Sequence, residues 1–171
     1  MGALTSVGAL FLCKGNSGMI ITFCGHSSYE SNIDDEKRLL GLFEQVTRGE
    51  KVVFYLGGYG RFDGFAHRCA KKYKEKHSNA ELVFVTPYLG KWLDERKDFI
   101  EKEYDRIVYP NLEYVPPKFA ILKRNEWMVD QADYVFAYVR THYGGAYKGL
   151  LYAHKHKKPY INLYQGNYEL Y

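Results

Sequence analysis

From Met19 onward, short β-branched and aromatic runs alternate with longer stretches whose apolar residues recur every three to four positions. The runs at 19 to 24, 51 to 56, 81 to 86, 133 to 139 and 159 to 163 have the length and composition of strands. Between them the spacing predicts helices starting near Asp34 and Gly60 and covering 91 to 104, 118 to 131 and 145 to 157. The first opens with acidic residues that suit its N-terminal dipole and carries Leu39, Leu42, Phe43 and Val46 on one face. In the second, Phe62, Phe65, Ala66, Cys69, Ala70 and Tyr73 form one apolar stripe. Pro116-Pro117 gives a sharp entry to the helix at 118. Such alternation is characteristic of βαβ units and predicts an α/β fold, three layers in α/β/α order around a mainly parallel sheet of about five or more strands.

Residues 1 to 18 depart from this pattern, being rich in glycine, serine and other small residues without a firm period. They are read as an extension outside the fold, and residues 19 to 171 as a single domain. The chain, 171 residues and 46% hydrophobic, is long enough to bury an ordinary core. Cys13, Cys24 and Cys69 are odd in number and widely spaced, which implies neither a disulfide framework nor a zinc knuckle and suits a reducing cytosol. No apolar run reaches the roughly 18 residues of a membrane helix, and Ala3 to Cys13 lacks the basic start of a secretory signal. A cytoplasmic protein with no membrane partner is expected. The net charge of +4 is mild, and Lys71, Lys72, Lys74 and Lys76 are scattered along a solvated helix face, which argues against nucleic acid as a partner. Seventeen tyrosines exceed what a core requires, so some rings are candidates for a site.

Parallel strands joined by right-handed crossovers bring every strand-to-helix loop to one sheet edge, where ligands of open α/β sheets bind. The unusual residues fall in those loops: Gly25-His26-Ser27-Ser28, Gly57-Gly58-Tyr59-Gly60, Thr86-Pro87-Tyr88 and Arg140-Thr141-His142-Tyr143-Gly144-Gly145. The glycines at 57, 58 and 60 can expose backbone N–H groups at a positive helix end, or simply make a tight turn. Gly144-Gly145 repeats the design, with Lys148 one turn on, either near a bound anion or solvated. Asp63 and His67 lie four apart on one helix, placed to address a ligand, to pair, or to serve the dipole and the half-buried boundary. Arg124 and Asn125 are bracketed by Ile121, Leu122, Met128 and Val129, so both require partners: a phosphate or carboxylate for the arginine, or a buried structural acceptor. Tyr55, Tyr59, Tyr88, Tyr138, Tyr143 and Tyr147 are near strand ends and can stack on a base or fill the core.

Over about Met19 to Leu163 these residues resemble the SLOG superfamily, the Rossmann-like group of LOG cytokinin-activating enzymes, the DprA core and YpsA-like (DUF1273-like) proteins. Gly60, Asp63, Ala66, His67 and Ala70 are similar to the G-x-x-D-x-x-A-H-x-x-A run of DprA-like and YpsA-like members. Arg124-Asn125-x-x-Met128, Asp133 and Gly144-Gly145 are similar to the R-K-x-x-M and glycine-loop arrangement of the LOG branch. That branch hydrolyses the N-glycosidic bond of nucleoside monophosphates with a glutamate in P-G-G-x-G-T-x-x-E. Here Ala146-Tyr147-Lys148-Gly149-Leu150-Leu151 follows the glycines, and the glutamate is missing. Only Asp63, Glu30 or Glu126 can substitute for it.

The resemblance therefore implies a pocket for a nucleotide or nucleotide-derived, phosphate-bearing small molecule, in a binding or sensing role. Its expected contacts are Gly25, His26, Ser27, Gly57, Gly58, Gly60, Asp63, Arg124, Asn125, Gly144, Gly145 and Lys148. The alternative is an N-glycosidase or phosphoribohydrolase with Asp63 as its carboxylate, and a DNA-processing accessory ranks third. No cofactor and no metal are implied; homo-oligomerisation is left open.

Overall fold

The computed structural model describes residues 18–170. Of the extension expected at residues 1 to 18, residues 1 to 17 lie outside the described residues, whereas Gly18 abuts the sheet: a Cβ there would stand 2.1 Å from the Lys51 carbonyl oxygen. That same oxygen accepts the Met19 N–H at 2.8 Å.

Period-two alternation divides the core. In β1 (Met19–Gly25), Ile21 and Phe23 face one side, while Ile20 and Cys24 face the other. β2 (Val52–Leu56) and β3 (Ala80–Val85) divide likewise, Phe54 and Phe84 against Val53 and Val83. β4 (Arg106–Val108), β5 (Tyr134–Tyr138) and β6 (Tyr160–Asn162) complete a six-stranded sheet in the order β4-β3-β2-β1-β5-β6, every neighbouring pair parallel. This is the three-layer Rossmann-like α/β architecture expected from the alternation.

Helices α1 (Ile33–Thr47) and α2 (Arg61–Lys76) cover the Phe23/Phe54 face together with Ile100 of a later helix. Asn32 caps α1, its side-chain oxygen accepting the Asp35 N–H at 2.8 Å, and a left-handed Arg48 ends it. On this face Phe43 packs edge-on against Tyr73 and Phe136, each such ring pair contributing about 0.5–1.5 kcal/mol beyond burial. The single helix expected at 91 to 104 is two: α3 (Lys91–Asp94) and α4 (Lys97–Glu103), separated at Glu95-Arg96. There the Arg96 N–H donates to the Leu93 carbonyl oxygen at 3.0 Å, and its guanidinium takes the Trp92 carbonyl oxygen at 2.8 Å, the acceptor that a continuous helix would have given that N–H. A 3₁₀ turn at Pro117–Phe119 leads into α5 (Ala120–Gln131), and α6 (Gly144–Lys155) lies beside it on the opposite face of the sheet.

Strand β4 was absent from the sequence-based expectation because three residues beginning with an arginine carry no period. It exists through pairing, with Arg106, Ile107 and Val108 in register with Val83, Phe84 and Val85. The strand order has one further consequence. From β1 the chain steps outward through β2, β3 and β4, then returns to place β5 on the other side of β1. The connections leaving β1 and β5 therefore diverge to opposite faces, opening a crevice at their C-terminal ends.

Candidate functional site

That crevice is a cleft of about 390 Å³. One wall is the end of β1 and the loop after it, Cys24 to Ser28; the other is the loop from Arg140 to Ala146 entering α6. Asp63 of α2 and Ile121, Arg124 and Asn125 of α5 close the floor.

The β1 loop is fixed by Tyr29, which is buried and donates its hydroxyl to Asp35 at 2.7 Å. Its ring meets Tyr138 at 4.6 Å and Phe62 at 5.2 Å, both edge-on. Just before it, His26 accepts the Arg140 N–H on Nε2 at 3.0 Å, which bridges the two walls and leaves that nitrogen unprotonated. Burial and the neighbouring Arg140 charge lower the His26 pKa, consistent with a neutral ring.

Among the described residues Arg124 is the most buried charge, 1% exposed. Its Nη1 donates to the carbonyl oxygens of Gly57 (2.8 Å) and Val85 (2.7 Å), and Nε to the Asn125 side chain (2.8 Å). It thus ties α5 to the ends of β2 and β3, so the structural acceptors weighed for it in the sequence exist, while its guanidinium still borders the cleft. Burial lowers its pKa and Asp63 opposes the shift. Asp63 itself is pushed up to about 6, chiefly by burial, against the pull of Arg124 and of the Tyr59 N–H that it accepts at 2.9 Å. Burial, with Asp63 nearby, pushes the Cys24 thiol up to about 12, so this cleft-lining sulfur stays protonated and is a poor nucleophile.

The structure gathers Gly25, His26, Ser27, Asp63, Arg124, Asn125, Gly144 and Gly145 around this one cleft. It does not bring Gly57, Gly58, Gly60 or Lys148 to its lining. Gly57 packs on Arg124, where a Cβ would stand 3.0 Å from the guanidinium, and at Gly58 it would stand 2.7 Å from Phe84. At Gly60, with φ +91°, a Cβ would stand 3.0 Å from Ser27. Lys148 is exposed on α6. Gly25 touches the cleft, but its small size also serves packing, since a Cβ would meet the Phe62 ring at 2.2 Å. Gly144 and Gly145 differ: a Cβ on either meets nothing within 4 Å, so the space over the first turn of α6 is open. Among the three carboxylates considered, Asp63 alone lines the cleft. Glu30 faces Arg61 and Glu126 holds Lys123. His67 turns away to α4, its Nε2 3.3 Å from the Glu103 carbonyl oxygen.

Sequence reasoning omitted Arg140, Thr141, Ser28 and Ile121 from the contact set. Arg140 is the important omission: it is exposed, lines the cleft and makes no ion pair among the described residues. Its position two residues beyond β5 was the available signal. Tyr59 and Tyr143, considered as stacking candidates, are 64% and 74% exposed at the mouth.

No family model matches the chain. No curated protein matches it either. Solved structures do. DNA processing protein A from Helicobacter pylori, a single-stranded DNA binder, superposes with a TM-score of 0.58 at 16% identity, covering 84% of this chain and 64% of that one. The Streptococcus pneumoniae DNA processing protein A gives 0.54 at 14% identity, over 84% of this chain and 49% of its own length. The structural-genomics target TM1055 gives 0.51 at 13%, over 83% and 72%. The chain thus spans less than two thirds of either DNA processing protein. At these identities the likeness concerns the fold alone, a Rossmann-like α/β fold. A DNA binder among these neighbours makes the expectation against nucleic acid as a partner doubtful. Among the described residues no helix is long and apolar enough to cross a membrane.

Proposed function

We propose that the cleft binds a nucleotide or a nucleotide-derived, phosphate-bearing small molecule, in a binding or sensing role. The observation that carries this reading is the start of α6. Its first turn holds no acidic residue and no side-chain cap, its residues Gly144, Gly145 and Ala146 line the cleft, and Arg140 stands beside it. Uncapped N–H groups at a positive helix end, with an arginine that is not ion-paired, favour a phosphate. The volume falls within the range of small-ligand sites, and Tyr59 and Tyr143 offer faces for a base. Within a SLOG-like fold, the Gly60 to Ala70 run favours the DprA-like and YpsA-like (DUF1273-like) members over the LOG branch.

One observation favours a hydrolytic second reading. Asp63, at about 6, is poised for proton transfer near neutral pH inside the same cleft, as an N-glycosidase or phosphoribohydrolase requires. The fold likeness also keeps a DNA-processing role as a third reading.

One titration series separates the three. Thermal shift and calorimetry with the nucleoside monophosphates of all four bases, with a single-stranded oligonucleotide in parallel, should show saturable mononucleotide binding, with little or no free base by chromatography. Base release that disappears in Asp63→Asn but persists in Lys148→Ala would make the protein a hydrolase. Binding of the oligonucleotide alone would transfer the cleft to nucleic acid.

A further inference from the structure

The wall that presents α6 to the cleft makes little structure of its own. Within it Thr141 reaches the Tyr143 carbonyl oxygen only at 3.4 Å, His142 meets the Tyr147 ring of α6 edge-on at 5.7 Å, and two glycines lie between them. Its position is set by contacts from elsewhere. On the inner side stands His26, accepting the Arg140 N–H. On the outer side runs the segment after β6. At its root Asn162, the last residue of β6, clasps Val139, accepting the N–H at 2.9 Å and donating to the carbonyl oxygen at 2.8 Å. The Tyr168 hydroxyl donates to the Thr141 carbonyl oxygen at 3.3 Å. Its ring stacks on His142 with centroids 4.7 Å apart and planes 10° from parallel. His142 Nε2 lies 2.6 Å from the Glu169 carbonyl oxygen, which makes that nitrogen the donor. Tyr168 and Leu170 also rest on the apolar cluster beneath α6.

We infer that residues 164–170 form a strap that positions the β5–α6 loop, with Tyr168 as its positioning residue, so that strap docking and occupancy of the cleft are coupled. Arg140 and Thr141, which line the cleft, are joined through peptide bonds to residues the strap and β6 grip, Val139 and His142. An undocked strap leaves this wall held by His26, by the clasp of Asn162 on Val139 and by chain continuity. Because loop residues must then be ordered by the ligand itself, affinity falls; by reciprocity, a bound ligand tightens the strap by the same factor. The coupling rests on the ligand reading above, whereas the positioning does not.

The test uses hydrogen exchange on the whole chain, wild type against Tyr168→Ala and Tyr168→Phe. Tyr168→Ala should speed exchange of amides 140 to 146 by about tenfold or more while amides of β1 and β2 stay unchanged. Tyr168→Phe, which keeps the stacked ring, should stay near wild type. With adenosine monophosphate as probe, the dissociation constant should rise about tenfold in Tyr168→Ala, and saturation should slow exchange of 164–170 in the wild type. Unchanged exchange at 140 to 146 would overturn the strap. So would faster exchange with unaltered affinity for a probe that the wild type binds. Should Tyr168→Ala also loosen the core, His142→Ala carries the same measurement from the loop side. A wild type that binds no nucleotide would sink the ligand reading, leaving the strap to be decided by exchange alone.

Discussion

Replacing Arg124 with methionine tests whether one buried guanidinium holds the cleft floor together. Methionine fills much of the apolar stem's space but donates nothing. The carbonyl oxygens of Gly57 and Val85 then lose donors at 2.8 and 2.7 Å, in surroundings where the side chain they met was 1% exposed. An orphaned buried acceptor costs about 1–3 kcal/mol, so the two together cost about 2–6 kcal/mol. Relief from burying a charge offsets part of this, which leaves a net loss of about 2–4 kcal/mol. For a domain of this size that corresponds to a fall in Tm of roughly 4–16 °C, read by calorimetry or by urea unfolding at constant m. A second consequence is electrostatic. Arg124 is the charge that holds the Asp63 pKa down against burial, so in the variant Asp63 should titrate above its present value of about 6. Carboxyl-carbon NMR across pH 4 to 9 reads it. A Tm within about 2 °C of wild type, together with an unmoved Asp63 titration, would refute this account of the floor.

Asp63→Asn should stabilise the protein at pH 8. Ionising Asp63 disfavours the folded state, since its pKa is raised from 3.8 to about 6, so wild-type stability is fully present below 3.8, falls as pH rises through the folded value and levels off above it. The gap to the variant should therefore open across that window to at most about 3 kcal/mol, and a pH-independent gap would contradict it. Gly25→Ala should destabilise by about 1–3 kcal/mol or more, because the added methyl group falls 2.2 Å from the Phe62 ring; unaltered denaturant unfolding would show that this wall gives way freely. Gly145→Ala should behave oppositely, with stability unchanged or raised by up to about 1 kcal/mol but weaker binding of adenosine monophosphate. Equal affinity in that variant would remove the first turn of α6 from the ligand's path.

Much of the architecture was legible because it is written in local periods. The run Ile20 to Phe23 reads as a strand covered on both faces, and the stripe from Phe62 to Tyr73 states which side of its helix is buried, each without reference to the rest of the chain. From five such strands and the helices between them, a parallel sheet with its loops on one edge followed. β4 and the break between α3 and α4 were not legible, since they depend on Val83 to Val85 pairing sideways and on the Arg96 guanidinium taking the Trp92 carbonyl oxygen. The site divides in the same way. That Gly25, His26 and Gly144 would share an edge came from the alternation; which glycines face open space and which face a neighbour did not. Gly25, Gly58 and Gly60 have their nearest neighbours in Phe62, Phe84 and Ser27, which lie 26 to 37 positions away along the chain. Arg124 had two open fates in sequence, phosphate or structural acceptor, and the carbonyl oxygens of Gly57 and Val85 came within its reach only when α5 lay across the ends of β2 and β3. Periodicity along the chain decides which face of an element is buried, whereas distances between elements decide what each loop residue meets, and those distances arise only when the layers close on one another.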